Sequence, residues 1–190
     1  MSIVIKLTDG GESLTKMEKK PFGKARKNRN LEFAIDVVAQ PTPEGFHTKK
    51  AEVSSNLPGW STWEINCDEG TGGQGLGLDN APSPMAYMSA GIALCLITHI
   101  KGLARQMKIQ IDDIRVEQRI SFSSTIDFKR AGESVNGYND GIETHVMISS
   151  PGAKEDVEAF MQIANDACLG LQSLINAVPS STTLYINENE

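Results

Sequence analysis

Three thiols, Cys67, Cys95 and Cys168, are the side chains in this sequence best suited to covalent chemistry near neutral pH. Cys95 stands 11 residues after Pro84, which at helical rise places it about 16 Å from the start of a helix beginning there. A helix dipole acts only within its first turn, so a reactive thiol at Cys95 requires a cation beside it. His99, four residues on, shares its helical face. Arg26 and Arg29 close a basic stretch from Lys16 to Arg29 that contains seven basic residues and one acid, Glu18. A guanidinium is charged at every working pH, whereas imidazole with its ordinary pKa of about 6.5 is mostly neutral at pH 7. Arg26 or Arg29 is therefore the expected activator, and His99 a secondary contributor.

Cys95 and Cys168 lie 73 positions apart on the apolar faces of two expected helices. Helices that pack together can bring such thiols within disulfide range, and a close pair suits redox chemistry. A thiolate attacks a peroxide oxygen, becomes a sulfenic acid, and is converted to a disulfide by the second thiol. Cys67 shares a strand face with Trp63 and Ile65 and is expected in the core. Cys95, His99 and Cys168 could instead be three zinc ligands. No C-x2-C or H-x3-H pair anchors such a site and no fourth ligand is visible, so no metal is expected.

Other chemistries fail on spacing. Gly70, Gly72 and Gly75 form a G-x-G-x-x-G, but Pro82 and Pro84 separate it from the following helix, and no acid occurs between Asp79 and Asp112. A dinucleotide site needs both the helix N-terminus and the ribose acid, so this is a plain loop and no cofactor is expected. His47, His99 and His145 have no G-x-S-x-G elbow to serve.

The elements that must position these residues follow from periodicity. Leu31, Phe33, Ile35 and Val37, then Trp63, Ile65 and Cys67, alternate as half-buried strands around turns at Gln40 to Gly45 and Asn56 to Gly59. A helix is expected from Met85 to about Met107, opened by Ser83 and Pro84, with Ala86, Ala90, Gly91 and Ala93 permitting close packing. Two strands follow through Ile114 to Phe122 and Ile142 to Ile148, joined by the loop Gly132 to Gly141. A second helix spans Ala153 to about Val178, and a short strand, Thr183 to Ile186, comes last. No linker divides this order, so residues 1–190 are expected to form one α+β domain: an N-terminal strand and basic arm over 1–29, and a core over 30–190.

Charge narrows the partners. The net charge is 18 − 24 = −6, and splitting after Cys95 gives 10 − 11 and 8 − 13. Neither half is basic, which argues against nucleic acid. The apolar run Met85 to Ile97 is shorter than the roughly 20 residues a bilayer requires, so no membrane span is expected. An odd cysteine count and an N-terminus without an apolar signal core give the expectation of a reducing, cytoplasmic setting.

Two segments carry a resemblance: Ser83 to Leu96 (SPMAYMSAGIALCL) and Ala164 to Cys168 (ANDAC). They are similar to the OsmC/Ohr family of organic hydroperoxide reductases, in a proline separated from the helix cysteine by ten small and apolar residues and in an Ala-x-x-x-Cys on the last helix. The order of elements agrees from about Asn30 onward. The resemblance implies an α+β fold with antiparallel sheets wrapped around two long central helices, assembled as an intertwined homodimer. It also implies a thiol peroxidase acting on a small hydrophobic hydroperoxide, regenerated by an external dithiol. Cys95 would be peroxidatic and Cys168 resolving, with an arginine and a glutamate from the partner subunit beside the thiolate. By this analogy Arg26 or Arg29 would fold over from the partner's arm. The family reductases carry glutamate where this chain has Met85, and Pro-Tyr-Ser where it has Leu169, Gly170 and Leu171. Asp68 or Glu69, ending the Trp63 strand, is the candidate replacement carboxylate. The alternative function is a non-catalytic, ligand-binding or redox-sensing dimer of the same fold.

Overall fold

The computed structural model describes residues 2–8, 31–72, 76–125, 135–176 and 178–186. The chain forms two compact units, one of Met1–Tyr87 with Val178–Glu190 and the other of Met88–Ala177. Arg26, Arg29 and the rest of the Lys16 to Arg29 stretch lie outside the described residues, as do Gly75 and residues 126–134.

The first unit is an antiparallel sheet of β1 (Val4–Thr8), β2 (Ile35–Pro41), β3 (Lys49–Ser55) and β4 (Thr62–Cys67), in the order β1-β4-β3-β2. Strand β2 begins later than the alternation from Leu31 indicates. Ala34 donates its N–H to Asn56 Oδ1 at 2.9 Å and accepts from Asn56 N at 3.4 Å, so side-chain chemistry replaces the ladder there. Pairing of Val53 with Trp63, Ala51 with Ile65 and Lys49 with Cys67 fixes the register of β3 on β4.

After β4 the chain enters the glycine-rich loop, which is anchored by a buried carboxylate. Asp68 accepts backbone N–H bonds from Glu69 at 2.8 Å, Leu78 at 3.1 Å and Asn80 at 3.3 Å. Gly77 passes so close to Glu69 that a Cβ there would collide with the Glu69 carbonyl, which only glycine avoids.

Helix α1 (Pro84–Met107) starts as expected: Ser83 Oγ accepts the Ala86 N–H at 3.3 Å and Pro84 takes the first helical position. Its C-terminus is a Schellman turn. Lys108 adopts φ 56°, and the Ile109 N–H returns to the Ala104 carbonyl at 2.9 Å.

Within the second unit, β5 (Asp113–Ser124) and β6 (Gly137–Ser149) make an antiparallel hairpin, with Ile114 opposite Ile148 and Val116 opposite Val146. Strand β6 begins inside the segment expected to be a loop, so Gly137 to Gly141 are ladder residues. The inner face of the hairpin packs with Leu96, Ile100 and Ala104 of α1 against Phe160 and Ala164.

The single helix expected over Ala153 to Val178 is two helices, α2 (Lys154–Ala167) and α3 (Leu169–Ile175). Cys168 between them is extended at φ −69°, ψ 101°. The break is hydrogen-bonded at both ends: the Cys168 N–H and Gln172 Nε2 both reach the Asn165 carbonyl at 3.2 Å, and the Cys168 carbonyl accepts from Gln172 N at 2.9 Å. Apolar periodicity cannot reveal such a break, because it continues in phase across it. Thr183 to Ile186 is not a strand: Leu184, Tyr185 and Ile186 are exposed and pair with no strand among the described residues.

Candidate active site

Cys95 lies at mid-length of α1, beside the buried Leu96, and is itself partly exposed. Helical spacing puts His99 on its face. His99 Nδ1 is 2.8 Å from the Cys95 carbonyl oxygen and 3.6 Å from Cys95 Sγ. A carbonyl only accepts, so Nδ1 carries the imidazole proton and presents it to both the carbonyl and the sulfur.

Cys168 arrives from the break between α2 and α3 and is completely buried. The reactive atoms of Cys95, His99 and Cys168 all lie within 4.8 Å of one another. Burial pushes the Cys168 thiol above its ordinary value, opposed by backbone N–H groups at Leu171 and Gly170, while the Cys95 sulfur it bonds to pushes it further up. Cys168 therefore holds its proton more tightly than an ordinary thiol does and is the donor toward Cys95.

A third donor to Cys95 comes from a residue that cysteine and histidine spacing does not single out. Gly170 donates its N–H to Cys95 Sγ at 3.4 Å. A Cβ on Gly170 would lie 3.2 Å from both Cys95 Cβ and Ile92 Cα, so glycine is what lets the first turn of α3 close on α1. The Cys95 sulfur thus has an imidazole N–H, a backbone N–H and a thiol directed at it, a donor set suited to a thiolate.

A family profile described as OsmC-like protein matches residues 77–183, more than half of the chain, including α1, the β5–β6 hairpin and the α2–α3 pair. The chain belongs to the OsmC-like family. Its fold is correspondingly similar to an OsmC-like hydroperoxide resistance protein from Jannaschia sp. CCS1, with 21% identity, a TM-score of 0.51, and coverage of 83% of this chain and 96% of that one. An OsmC-like protein from Mycoplasma pneumoniae is similar at 18% identity and TM-score 0.52, over 77% of this chain and 89% of that one. At these identities the likeness establishes the OsmC-like fold. No curated protein matches the chain significantly.

The remaining expected site residues fall elsewhere in this OsmC-like chain. Glu69 belongs to the first unit, where its Oε1 pairs with Lys49 Nζ at 3.2 Å. Asp68, the other candidate carboxylate, is occupied by the three loop N–H groups. Burial opposes its ionisation, but the donors from Glu69, Asn80 and Leu78, with Lys49 adding, outweigh that and hold its carboxyl below the ordinary value. Cys67 is partly buried; its thiol donates to the Asp68 carbonyl at 3.8 Å, and burial pushes it up. Met85, at the position of the family glutamate, is exposed in the first turn of α1.

Proposed function

We propose that the protein is a cysteine-based thiol peroxidase that reduces small hydrophobic hydroperoxides. The observation that carries this reading is the meeting of Cys95, which the Gly170 N–H and the His99 ring approach, with a buried Cys168. Membership of the OsmC-like family, and the hydroperoxide resistance ascribed to the Jannaschia relative, support it. The Cys95 thiolate attacks the outer peroxide oxygen and breaks the O–O bond. Cys95 becomes a sulfenic acid and the alkoxide takes a proton to leave as an alcohol. Cys168 then attacks the sulfenic sulfur, its proton leaving with the hydroxyl as water, and a disulfide forms. An external dithiol returns two electrons and two protons.

The reading includes assembly as a homodimer and a reducing, cytoplasmic setting. Leu94 on α1, Ile163 on α2 and Leu169 on α3 are large apolar side chains left 63%, 45% and 49% exposed, which supports a second copy as their cover. The experiment is peroxide consumption with cumene hydroperoxide and a dithiol. Wild type should turn over, Cys95→Ser should be inactive, and Cys168→Ser should stop at a sulfenic acid that dimedone traps. Turnover by Cys95→Ser at the wild-type rate would refute the assignment.

A further inference from the structure

The sulfurs of Cys95 and Cys168 and a ring nitrogen of His99 form a cluster of three soft donors within 4.8 Å of one another. We propose that the reduced protein binds one Zn²⁺ per chain through Cys95, His99 and Cys168, with a fourth position open to water or an external thiol. Bond lengths of about 2.3 Å to sulfur and 2.1 Å to nitrogen put those two ligands about 3.6 Å apart in a tetrahedral site. Cys95 Sγ and His99 Nδ1 already stand 3.6 Å apart. The Cys95-x3-His99 pair needs no loop closure to chelate, because a single helix holds both residues on one face. The third ligand comes from the extended residue between α2 and α3, so α1 and that junction, which already pack together, supply the set. Partial exposure of Cys95 leaves the open vertex on the solvent side.

The donors also select the ion. Two thiolates and an imidazole favour Zn²⁺ over Mg²⁺ or Ca²⁺, which take oxygen ligands. Binding releases the two thiol protons to solvent. His99 gives up its bond to the Cys95 carbonyl as its proton passes through water from Nδ1 to Nε2, freeing Nδ1 for the metal. The site requires reduced thiols and nothing else, so it does not rest on peroxide turnover.

The test uses the full-length reduced protein without oxygen. Zinc is titrated against a chromophoric chelator, Co²⁺ is added as a spectroscopic probe, and iodoacetamide labelling of each cysteine is followed by peptide mass. The expected result is one zinc per chain, thiolate-to-cobalt charge transfer, and slower labelling of the partly exposed Cys95 than in the metal-free protein, with the labelling of Cys67 unchanged. Since even outer-shell changes cost metal sites 10- to 100-fold, Cys95→Ser, Cys168→Ser and His99→Ala should each weaken binding by about tenfold or more. Cys67→Ser should bind as wild type does. Failure to draw zinc from the chelator, zinc retained after both thiols are alkylated, or unchanged affinity in His99→Ala would each overturn the site. Should a ligand variant unfold by circular dichroism, the labelling pattern of the wild-type protein decides. Zinc binding without peroxide consumption would sink the peroxidase reading and leave this site standing, and the converse would sink only the site.

Discussion

Gly170 shows how much one missing Cβ can decide. Its N–H reaches Cys95 Sγ because nothing on the residue keeps α3 from Ile92 and Cys95. Gly170→Ala places a methyl 3.2 Å from Cys95 Cβ and Ile92 Cα, so the two helices are expected to part by a few tenths of an ångström and the N–H donor to weaken. A hydrogen bond to a charged group is worth about 1.5–3 kcal/mol, so the rate of Cys95 alkylation at pH 7 should fall by about 10- to 100-fold, with the fold intact by circular dichroism. An unchanged rate would mean that the N–H contributes nothing. Cys168 carries a pH signature. Its proton is held more tightly in the folded protein, mainly by burial, so the stability linked to it is fully present below the unfolded thiol value of about 8.5 and declines as pH rises above it. Denaturant titrations of the reduced protein from pH 7 to pH 10 should show that decline, shallower in Cys168→Ser. Cys67, also raised by burial, contributes in the same direction, and Cys67→Ser should remove that contribution.

At the scale of elements, stability rests on two clamps in different units. In the first, Asp68 ties the loop after β4 to three backbone N–H groups. Because its folded value is depressed, the stability it provides is present above the unfolded value of about 3.9 and is lost as pH falls through the lower folded value. Asp68→Asn should therefore lower the melting temperature at pH 7, and the gap to wild type should narrow as the pH is taken below about 3.9. A gap that stays constant from pH 7 to pH 3 would contradict the charge-based account. In the second unit Phe160 is fully buried between α1 and the β5–β6 hairpin. Phe160→Ala should cost about 3–5 kcal/mol by chemical denaturation, because the close-packed cluster around it cannot collapse into the space left.

For the whole molecule, the unresolved balance is between apolar surface and solvent. Helix α1 is long and apolar enough to cross a membrane, and most of its surface is not covered within the chain. Yet Ile92, Leu96, Ile100 and Ala104 form a buried face on it, three of them in the cluster with Phe160. Lys101 interrupts its far half. One face of the helix is thus packed and the rest is apolar surface for which a second copy is the expected cover. A permanent interface of this kind buries more than about 2,000 Å². Sedimentation equilibrium at micromolar concentration should therefore give twice the chain mass of 20.6 kDa, and a folded monomer there would refute the dimer.

The helix of Cys95 was legible in the sequence, because Ser83, Pro84 and an unbroken apolar period specify it through local forces alone. The strands carrying Trp63, Ile114 and Val146 were legible for the same reason, since alternation with period two needs no knowledge of the partner strand. The pairing of Cys95 with His99 followed from helical spacing. Tertiary structure alone decided the rest. The break at Cys168 does not disturb the apolar phase and so leaves no trace in it. The Gly170 donor is a backbone group whose role depends on how closely α3 approaches α1. Asp68 became a loop clamp because three N–H groups, one of them twelve residues away, converge on it. Local periodicity records which face of an element is apolar; which backbone atoms meet across two elements is set by packing, which no single segment encodes.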